Sequence, residues 1–360
     1  MPSLADLPTP SVLVDRVRTE ANIRAMQSLC DAHGVELWPH IKTHKMVAVA
    51  RRQLAAGARG LTCAKLGEAE AMLPSGVRRL FIAHSLVDPN QAPRLAALAD
   101  QLDELRVAAT SPGQTEALFR LAELTARRLL VMLAVDTGLG REGVRSISAA
   151  NEIAAIIGRS SHLELAGFYT HEGQLYGAPP AEQVARSAAV IDRLCEFRDT
   201  VAAGLPLWPG CSVTARLAAA SGRVQAVRPG AYVFGDLFLS EICRTMRPAD
   251  VALHVLATVV DRPEPGLALI DAGSKTFSSD KTPEGLSARA TDGRDLAVVR
   301  CNEEHGYVRG PATDALRIGD RVLFTPAHVC PVVNLTDQVV VTESGLAVDI
   351  WRVEARGRTQ

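Results

Sequence analysis

A (β/α)8 barrel followed by a β-rich domain is the fold class predicted by this 360-residue sequence. Three observations point there. Between residues 36 and 230, eight short β-branched or apolar runs alternate with longer Ala/Leu/Arg-rich segments of helical period. Polar residues capable of chemistry collect at the C-terminal ends of many of those runs, the end at which barrel active sites are built. After about residue 240 the long helical segments stop, and apolar runs follow one another between Gly, Pro and Asp turns.

The elements follow in chain order. "PSVLVD" (10–15) is an opening strand that precedes the first barrel helix and is open to pairing with the β-rich domain. The eight barrel runs are 36–42, 60–65, 79–84, 104–110, 129–136, 163–170, 205–210 and 224–230. Between them lie "KMVAVARRQLAAG", "PNQAPRLAALADQ", "SPGQTEALFRLAELTARR" and "AEQVARSAAVIDRLCEFRDTVAAG", whose apolar residues recur every three or four positions. Gly57 and Gly204 sit where helix C-caps would fall. A doubly wound sheet shares this alternation. Lys42, Lys65, His84, Asp136, Thr170, His171 and Gly210, all at strand ends, favour the barrel. The expected domains are residues 20–240 for the barrel, with 1–19 and 241–360 forming the β-rich domain. The β runs of the latter are "VALHVLATVV", "GLALIDAG", "DLAVVRC", "DRVLFTPAHVCPVV" and "DQVVVTESGLAVDIWRVEARG".

Composition narrows the function. The content is 47% hydrophobic and 22% charged, as in an enzyme-sized globular protein. A net charge of −1 and scattered basic residues argue against a nucleic-acid surface. No secretory leader or membrane-spanning run is expected. Seven scattered cysteines (30, 63, 195, 211, 243, 301, 330) without a C-x-x-C pair suit reduced thiols in the cytoplasm.

Only five of the 39 basic residues are lysines, and two of those fall in "PHIKTHK" (39–45). Lys42 ends the first barrel strand; a partly buried amine there loses proton affinity and becomes available to form a Schiff base. The alternative is an ion pair at the barrel rim. Lys45 falls about one residue into the next helix, and His40 and His44 are expected to shape the pocket. "WPGCSVT" after strand seven offers Gly210, Ser212 and Thr214 for hydrogen bonds. "RPGAYVFGD" after strand eight offers Gly230 for close backbone approach and the phenol of Tyr232. Loops at these two places in a barrel often hold a phosphate. Opposite a strand-one lysine, they suggest pyridoxal 5'-phosphate. "DTGLGREGV" (136–144) turns tightly enough to bring Arg141 over the barrel mouth, unless it is simply a surface arginine on a glycine turn.

"TPAHVCPVVN" carries His328 and Cys330 two residues apart. On a strand they would share a face and meet one ion, and a nitrogen-plus-sulfur pair suits zinc better than magnesium or calcium. A buried cysteine beside a hydrogen-bonded histidine is the plainer alternative. "CNEEHGYV" holds Glu303, Glu304 and His305, either orienting the metal ligands or forming a polar turn. Lys275, in "DAGSKTFSSD", is expected to be solvated.

The segments "LPTPSVLVD", "PHIKTHK", "LTCAKLGEAEAM", "DTGLGREGV", "RPGAYVFGD", "DAGSKTFSSD", "EEHGYV" and "PAHVCPVVNL" together resemble the D-serine dehydratase and D-threonine aldolase family. That family has the alanine-racemase-like fold type of pyridoxal-phosphate enzymes. The likeness runs in order from about Pro8 to about Arg356. It implies a head-to-tail homodimer acting on a small D-amino acid, with Lys42 carrying the cofactor and Arg141 and Tyr169 near it. It further implies that Gly210, Ser212, Thr214, Gly230 and Tyr232 hold the phosphate. His328 and Cys330 would be the ligands of a divalent metal, zinc first, with manganese or magnesium as alternatives. A cysteine at the second ligand position resembles the zinc-dependent dehydratases, whereas some aldolases place an aspartate there. The implied activity is β-elimination from a D-β-hydroxy-α-amino acid to a 2-keto acid and ammonia. Retro-aldol cleavage to glycine and an aldehyde is the alternative; a non-catalytic pyridoxal-phosphate carrier and a racemase are the remaining readings. The likeness assigns no roles to His171 and Tyr176.

Overall fold

The structure, a computed structural model, describes residues 2–360. It divides into two compact units: 25–42 with 49–230 and 358–360, and 2–24 with 43–48 and 231–357. After an opening strand β1 (Ser11–Asp15), the first of these units carries eight parallel strands. They are β2 (Glu36–Leu37), β3 (Leu61–Cys63), β4 (Arg79–Ser85), β5 (Glu104–Ala109), β6 (Leu129–Ala134), β7 (Leu163–Tyr169), β8 (Leu207–Trp208) and β9 (Ala226–Val227). β3 to β8 form one continuous six-stranded sheet, and β2 pairs with β9. A parallel bridge from His40 to Thr62 joins β2 to β3. The Gln225 N–H donates to Leu207 O at 3.2 Å and joins β9 to β8, closing the ring. Each predicted run contains one observed strand. The first is much shorter than predicted: regular pairing ends at Leu37, the chain keeps single backbone bonds to its neighbours as far as His40, and Ile41–Thr43 is a 3-10 turn.

The helices form where the apolar period and the caps agree. Ser111 accepts the Gln114 N–H at 3.2 Å ahead of helix Pro112–Thr125, and Ser146 likewise opens Ile147–Gly158. Gly57 (φ +118°) and Gly204 (φ +87°) take the left-handed conformations expected just beyond helix ends.

Inside the barrel the side chains of Trp38, Phe81, Met132, Tyr169 and Trp208 pack as one buried cluster. The indoles of Trp38 and Trp208 lie 4.6 Å apart, and Phe81 meets Tyr169 edge-on at 5.0 Å. The Arg106 guanidinium lies 4.5 Å from the Trp208 ring, bound to Glu104 and donating to Ala166 O. Gly60 borders this cluster tightly. A Cβ there would stand 2.5 Å from the Trp38 ring and 2.6 Å from Arg79 O.

The second unit is built on a nine-stranded sheet. Its strands are β1 and β10 (Leu253–Glu264), β11 (Leu267–Ile270), β12 (Ala288–Ala290), β13 (Ala297–Cys301), β14 (Gly306–Arg309), β15 (Arg321–Pro326), β16 (Gln338–Glu343) and β17 (Leu346–Arg352). β11, β14, β13, β12, β15 and β10 pair in that order, and β10 also pairs with β11, so six antiparallel strands close on themselves. The opening strand belongs to this sheet: Leu13 lies opposite His254 of β10 and Val340 of β16. Its Leu13 side chain joins Leu7 and Leu256 in a small core.

Gly60→Ala is expected to cost about 1–3 kcal/mol by overpacking, read as a lowered thermal midpoint. Gly113→Ala is the control, because nothing lies within 4 Å of the added carbon; its midpoint should not fall.

Candidate active site

At the C-terminal ends of the barrel strands one cavity is lined by His40, Lys42, Asp136, Arg141, Tyr169, Thr170, His171 and Arg228, among others. Seven residues singled out from the sequence (His40, Lys42, Asp136, Arg141, Tyr169, Thr170 and His171) are thus brought together. Lys42 stands on the 3-10 turn after β2 rather than on a strand, and its backbone N–H meets His40 Nδ1 at 3.4 Å. The loop carrying Arg141 is shaped by Asp136. Its carboxylate accepts the N–H groups of Gly138 (3.0 Å) and Gly140 (3.1 Å) and is held by Arg145 Nε at 2.8 Å. Burial pushes the Asp136 pKa up, but these donors outweigh it and the net direction is down. Gly143, at φ +119°, lets the loop return: a Cβ there would stand 2.6 Å from Asp136 N.

His171 follows β7. Its Nδ1 donates to Gly210 O at 2.5 Å; a carbonyl only accepts, so Nδ1 carries the hydrogen and Nε2 is an acceptor. Burial, reinforced by the charges of Lys42 and Arg141, lowers its pKa to about 3, so it is neutral. Burial also holds the Tyr169 hydroxyl above the ordinary tyrosine range, against the pull of Arg228 and Arg141.

The two loops expected to bind phosphate are tied together, since Gly230 N–H donates to Ser212 Oγ at 3.1 Å. Gly210 N–H (2.9 Å) and the Thr214 hydroxyl (3.1 Å) both meet the carboxylate of buried Glu172. Burial raises the Glu172 pKa, opposed by those donors and by Arg228. Arg228 is itself buried, donating to Thr170 O at 2.5 Å and lying over the rings of Tyr169 (5.0 Å) and Phe81 (5.4 Å). Gly210 is required here because a Cβ would stand 2.5 Å from the Arg228 guanidinium. The cavity thus presents an amine, two guanidiniums and neutral phenol and imidazole groups beside two carboxylates, Asp136, which is paired with Arg145, and Glu142, which accepts from the Ser85 hydroxyl. This set fits an anionic, aldehyde-bearing cofactor such as pyridoxal phosphate.

Tyr232 is buried in the second unit, on the 3-10 turn Ala231–Val233. The same unit holds the second group of functional candidates. His328 and Cys330 do not lie on a strand: β15 ends at Pro326, His328 precedes helix Val329–Asn334, and Cys330 is in its first turn. The Cys330 sulfur nevertheless acts electrostatically on the imidazole. His328 Nδ1 meets Asp280 Oδ2 at 2.7 Å, and its ring packs edge-on to Phe238 at 6.2 Å. Thr43, the residue after Lys42 in the chain, places Oγ1 3.1 Å from Cys330 Sγ. Buried Asp236 accepts Val329 N–H and Leu239 N–H at 3.0 Å each, which anchors the helix start. Burial opposes charge on His328, yet Cys330, Asp236 and Asp280 together raise its pKa to about 10. That anionic field around an imidazole and a thiol fits a divalent cation. Among the described residues no group of three or more His, Cys, Asp or Glu is arranged to hold a metal.

The remaining candidates have structural partners. Lys45 has a left-handed backbone (φ +53°) ahead of the helix, and its Nζ donates to Asn334 at 2.8 Å. His44 accepts Met46 N–H at 3.0 Å and is buried. Glu303 and Glu304 face Lys275 at 3.0 Å each, so that exposed lysine is paired as well as solvated. Tyr176 lies in the 3-10 segment Gly173–Gly177. The sequence reading passed over Glu172, Arg228, Asp236 and Asp280, although three of them stand within or beside quoted motifs.

A parallel barrel with a lysine after its first strand, continued by an antiparallel β unit, defines an alanine-racemase-like protein. The family model "Alanine racemase, N-terminal domain" matches residues 14–237, more than half the chain, and "Putative serine dehydratase domain" matches 252–342. A D-threonine aldolase of Arthrobacter sp. is 32% identical over 98% of this chain and 94% of its own. A solved D-threonine aldolase from Filomicrobium marinum superposes with a TM-score of 0.89, at 28% identity and over 99% and 98% of the two chains. A solved cysteine-to-alanine mutant of a D-threo-3-hydroxyaspartate dehydratase, in the metal-free form, has a TM-score of 0.87 at 29% identity over 98% and 99%. The chain belongs to the D-serine dehydratase and D-threonine aldolase family of the alanine-racemase-like fold.

The depressed His171 pKa has a consequence for stability. Above its ordinary value of 6.5 both folded and unfolded forms are neutral. As pH falls from there toward about 3, only the unfolded chain takes up the proton, so stability drops across that window. His254, lowered to about 4, adds in the same direction. Thermal midpoints between pH 6.5 and 4 should fall less steeply in His171→Gln than in the parent; equal slopes would contradict the neutral assignment.

Proposed function

We propose that the chain is a pyridoxal-phosphate- and metal-dependent lyase of D-β-hydroxy-α-amino acids, working as a dehydratase that yields a 2-keto acid and ammonia. The observation that carries this is the gathering of Lys42, Arg141, Tyr169 and neutral His171 around one cavity, in a chain that also sets His328 against Cys330. We assign the cofactor to a barrel of residues 20–240 and the metal pair to a β-rich domain of 1–19 and 241–360.

Bound pyridoxal phosphate supplies an electron sink for charge at the substrate Cα. Lys42 would hold the cofactor, and its amine is the group placed to accept the Cα proton. Arg141 offers its guanidinium to a phenolate or carboxylate, and Tyr169 offers an un-ionised phenol beside it. Ser212 and Gly230, tied to each other, and Tyr232 are assigned to the phosphate together with the loop of Gly210 and Thr214. Glu172 holds that loop in shape. His328 and Cys330 hold a divalent ion, zinc by the softness of the donors, whose Lewis acidity suits departure of a β-hydroxyl.

Retro-aldol cleavage is the second reading, supported by the Arthrobacter relative and by His171, whose Nε2 is an uncharged acceptor able to take a hydroxyl proton. Cys330 in the metal pair supports dehydration. A reducing, cytoplasmic setting is supported by seven cysteines with no disulfide among them, and among the described residues no helix is long and apolar enough to cross a membrane. A homodimer completes the proposal.

Incubation with D-serine, D-threonine and D-threo-3-hydroxyaspartate, with and without added zinc or manganese, separates the readings. Keto acid and ammonia mean dehydratase, glycine and aldehyde mean aldolase, and no product from any substrate overturns both. Lys42→Ala should lose the visible absorbance of bound cofactor after dialysis, whereas Lys45→Ala should keep it. Cys330→Ala should keep that absorbance yet lose turnover about 100-fold or more, as when several kcal/mol of transition-state stabilisation are removed; unchanged turnover overturns the metal's part.

A further inference from the structure

The segment "DAGSKTFSSD" ends on Asp280, a residue with no part in the cofactor cavity. Its Oδ2 lies 2.7 Å from His328 Nδ1. A carboxylate only accepts, so Nδ1 carries the hydrogen whether or not the ring is charged, and Nε2 is the nitrogen that a metal would take in exchange for its proton. The ring is held on a second side, edge-on to Phe238 at 6.2 Å. Asp236 fixes the backbone on which the ring is mounted, by accepting the N–H of Val329. Asp280 fixes the ring itself.

The energetics separate this role from plain stabilisation. The side chains of His328 and Asp280 are 35% and 46% exposed. An ion pair in that setting is worth about 0–1 kcal/mol to the fold. Orientation of a metal-binding imidazole by a carboxylate has a larger effect on the metal, about 10–100-fold in affinity. Direct ligation is the competing role; Asp280 Oδ2 is already engaged by the Nδ1 hydrogen of His328.

We propose that Asp280 is the positioning residue of the metal pair: it sets the tautomer and plane of His328 without ligating the ion. This rests on the assignment of His328 and Cys330 as metal ligands, and the experiment reports on the two separately.

The full-length, cofactor-loaded protein is stripped of metal with a chelator, and Zn2+ affinity is measured at one pH by competition with a chromophoric chelator. The parent, His328→Ala, Asp280→Ala and Asp280→Asn are compared, with thermal midpoints as the check on folding. Asp280→Ala should keep the metal-free midpoint and bind Zn2+ about 10–100-fold more weakly. Asp280→Asn retains a carbonyl acceptor for the Nδ1 hydrogen and should stay within a few-fold of the parent. Equal losses in the Ala and Asn variants would mean that the carboxylate itself ligates, overturning the positioning role. So would an Asp280→Ala affinity equal to the parent's while His328→Ala binds poorly. Parent and His328→Ala binding Zn2+ alike would instead remove the metal assignment on which the proposal rests.

Discussion

A buried guanidinium organises the mouth of the barrel. Arg228 leaves β9 and donates to the Thr170 and Trp208 carbonyls, so it satisfies the ends of two neighbouring strands at once. Burial lowers its pKa to about 10, still well above neutrality, and a cation in such a place must be compensated. The faces of Tyr169 and Phe81 and the carboxylate of Glu172 provide that compensation. Each of these partners has a second task. Tyr169 and Arg228 both line the cavity that Lys42 faces, and Glu172 holds the Gly210 and Thr214 donors in place. Gly210 has no side chain because the guanidinium fills the space one would need. The loop geometry after β8 is therefore a consequence of the charge buried beneath it.

The second unit uses the opposite sign of charge for a similar end. Asp236 is buried, yet it is anchored by backbone N–H donors at the start of the helix that carries Cys330. Together with Asp280 and the Cys330 sulfur it creates an anionic surrounding for His328. A cation relieves the mutual repulsion of such groups, so the site is electrostatically prepared for one. Lys45 and His44, which share a heptapeptide with Lys42, serve this unit as struts through Asn334 and the Met46 N–H. Two lysines three residues apart thus have unrelated work.

Much of this was legible in the sequence. The eight barrel strands coincide with the predicted runs, β4 passing its run by one residue to Ser85, because the runs are bounded by turn residues and spaced by segments of helical period. Gly57 and Gly204 marked helix ends for the same local reason. Misreadings arose where a local pattern was overruled by packing. "ELWPHIK" reads as one strand, but regular pairing covers only Glu36 and Leu37, a single bridge remains at His40, and the chain turns into a 3-10 segment at Ile41. "TPAHVCPVV" reads as a continued strand, but Asp236 captures the Val329 N–H and a helix starts there instead.

By itself the sequence determined the alternation of strands and helices, the change to β structure near residue 240, and the residue types available for catalysis. These depend on periodicity and turn chemistry, which act over a few residues. Only the tertiary structure decided which polar groups answer one another. Arg228 meets Thr170 across 58 positions, Glu172 meets Gly210 across 38, and Asp280 meets His328 across 48. Such partners are chosen by burial, because a charged or hydrogen-bonding group removed from water must find its counterpart wherever the fold brings one. No local pattern encodes that choice.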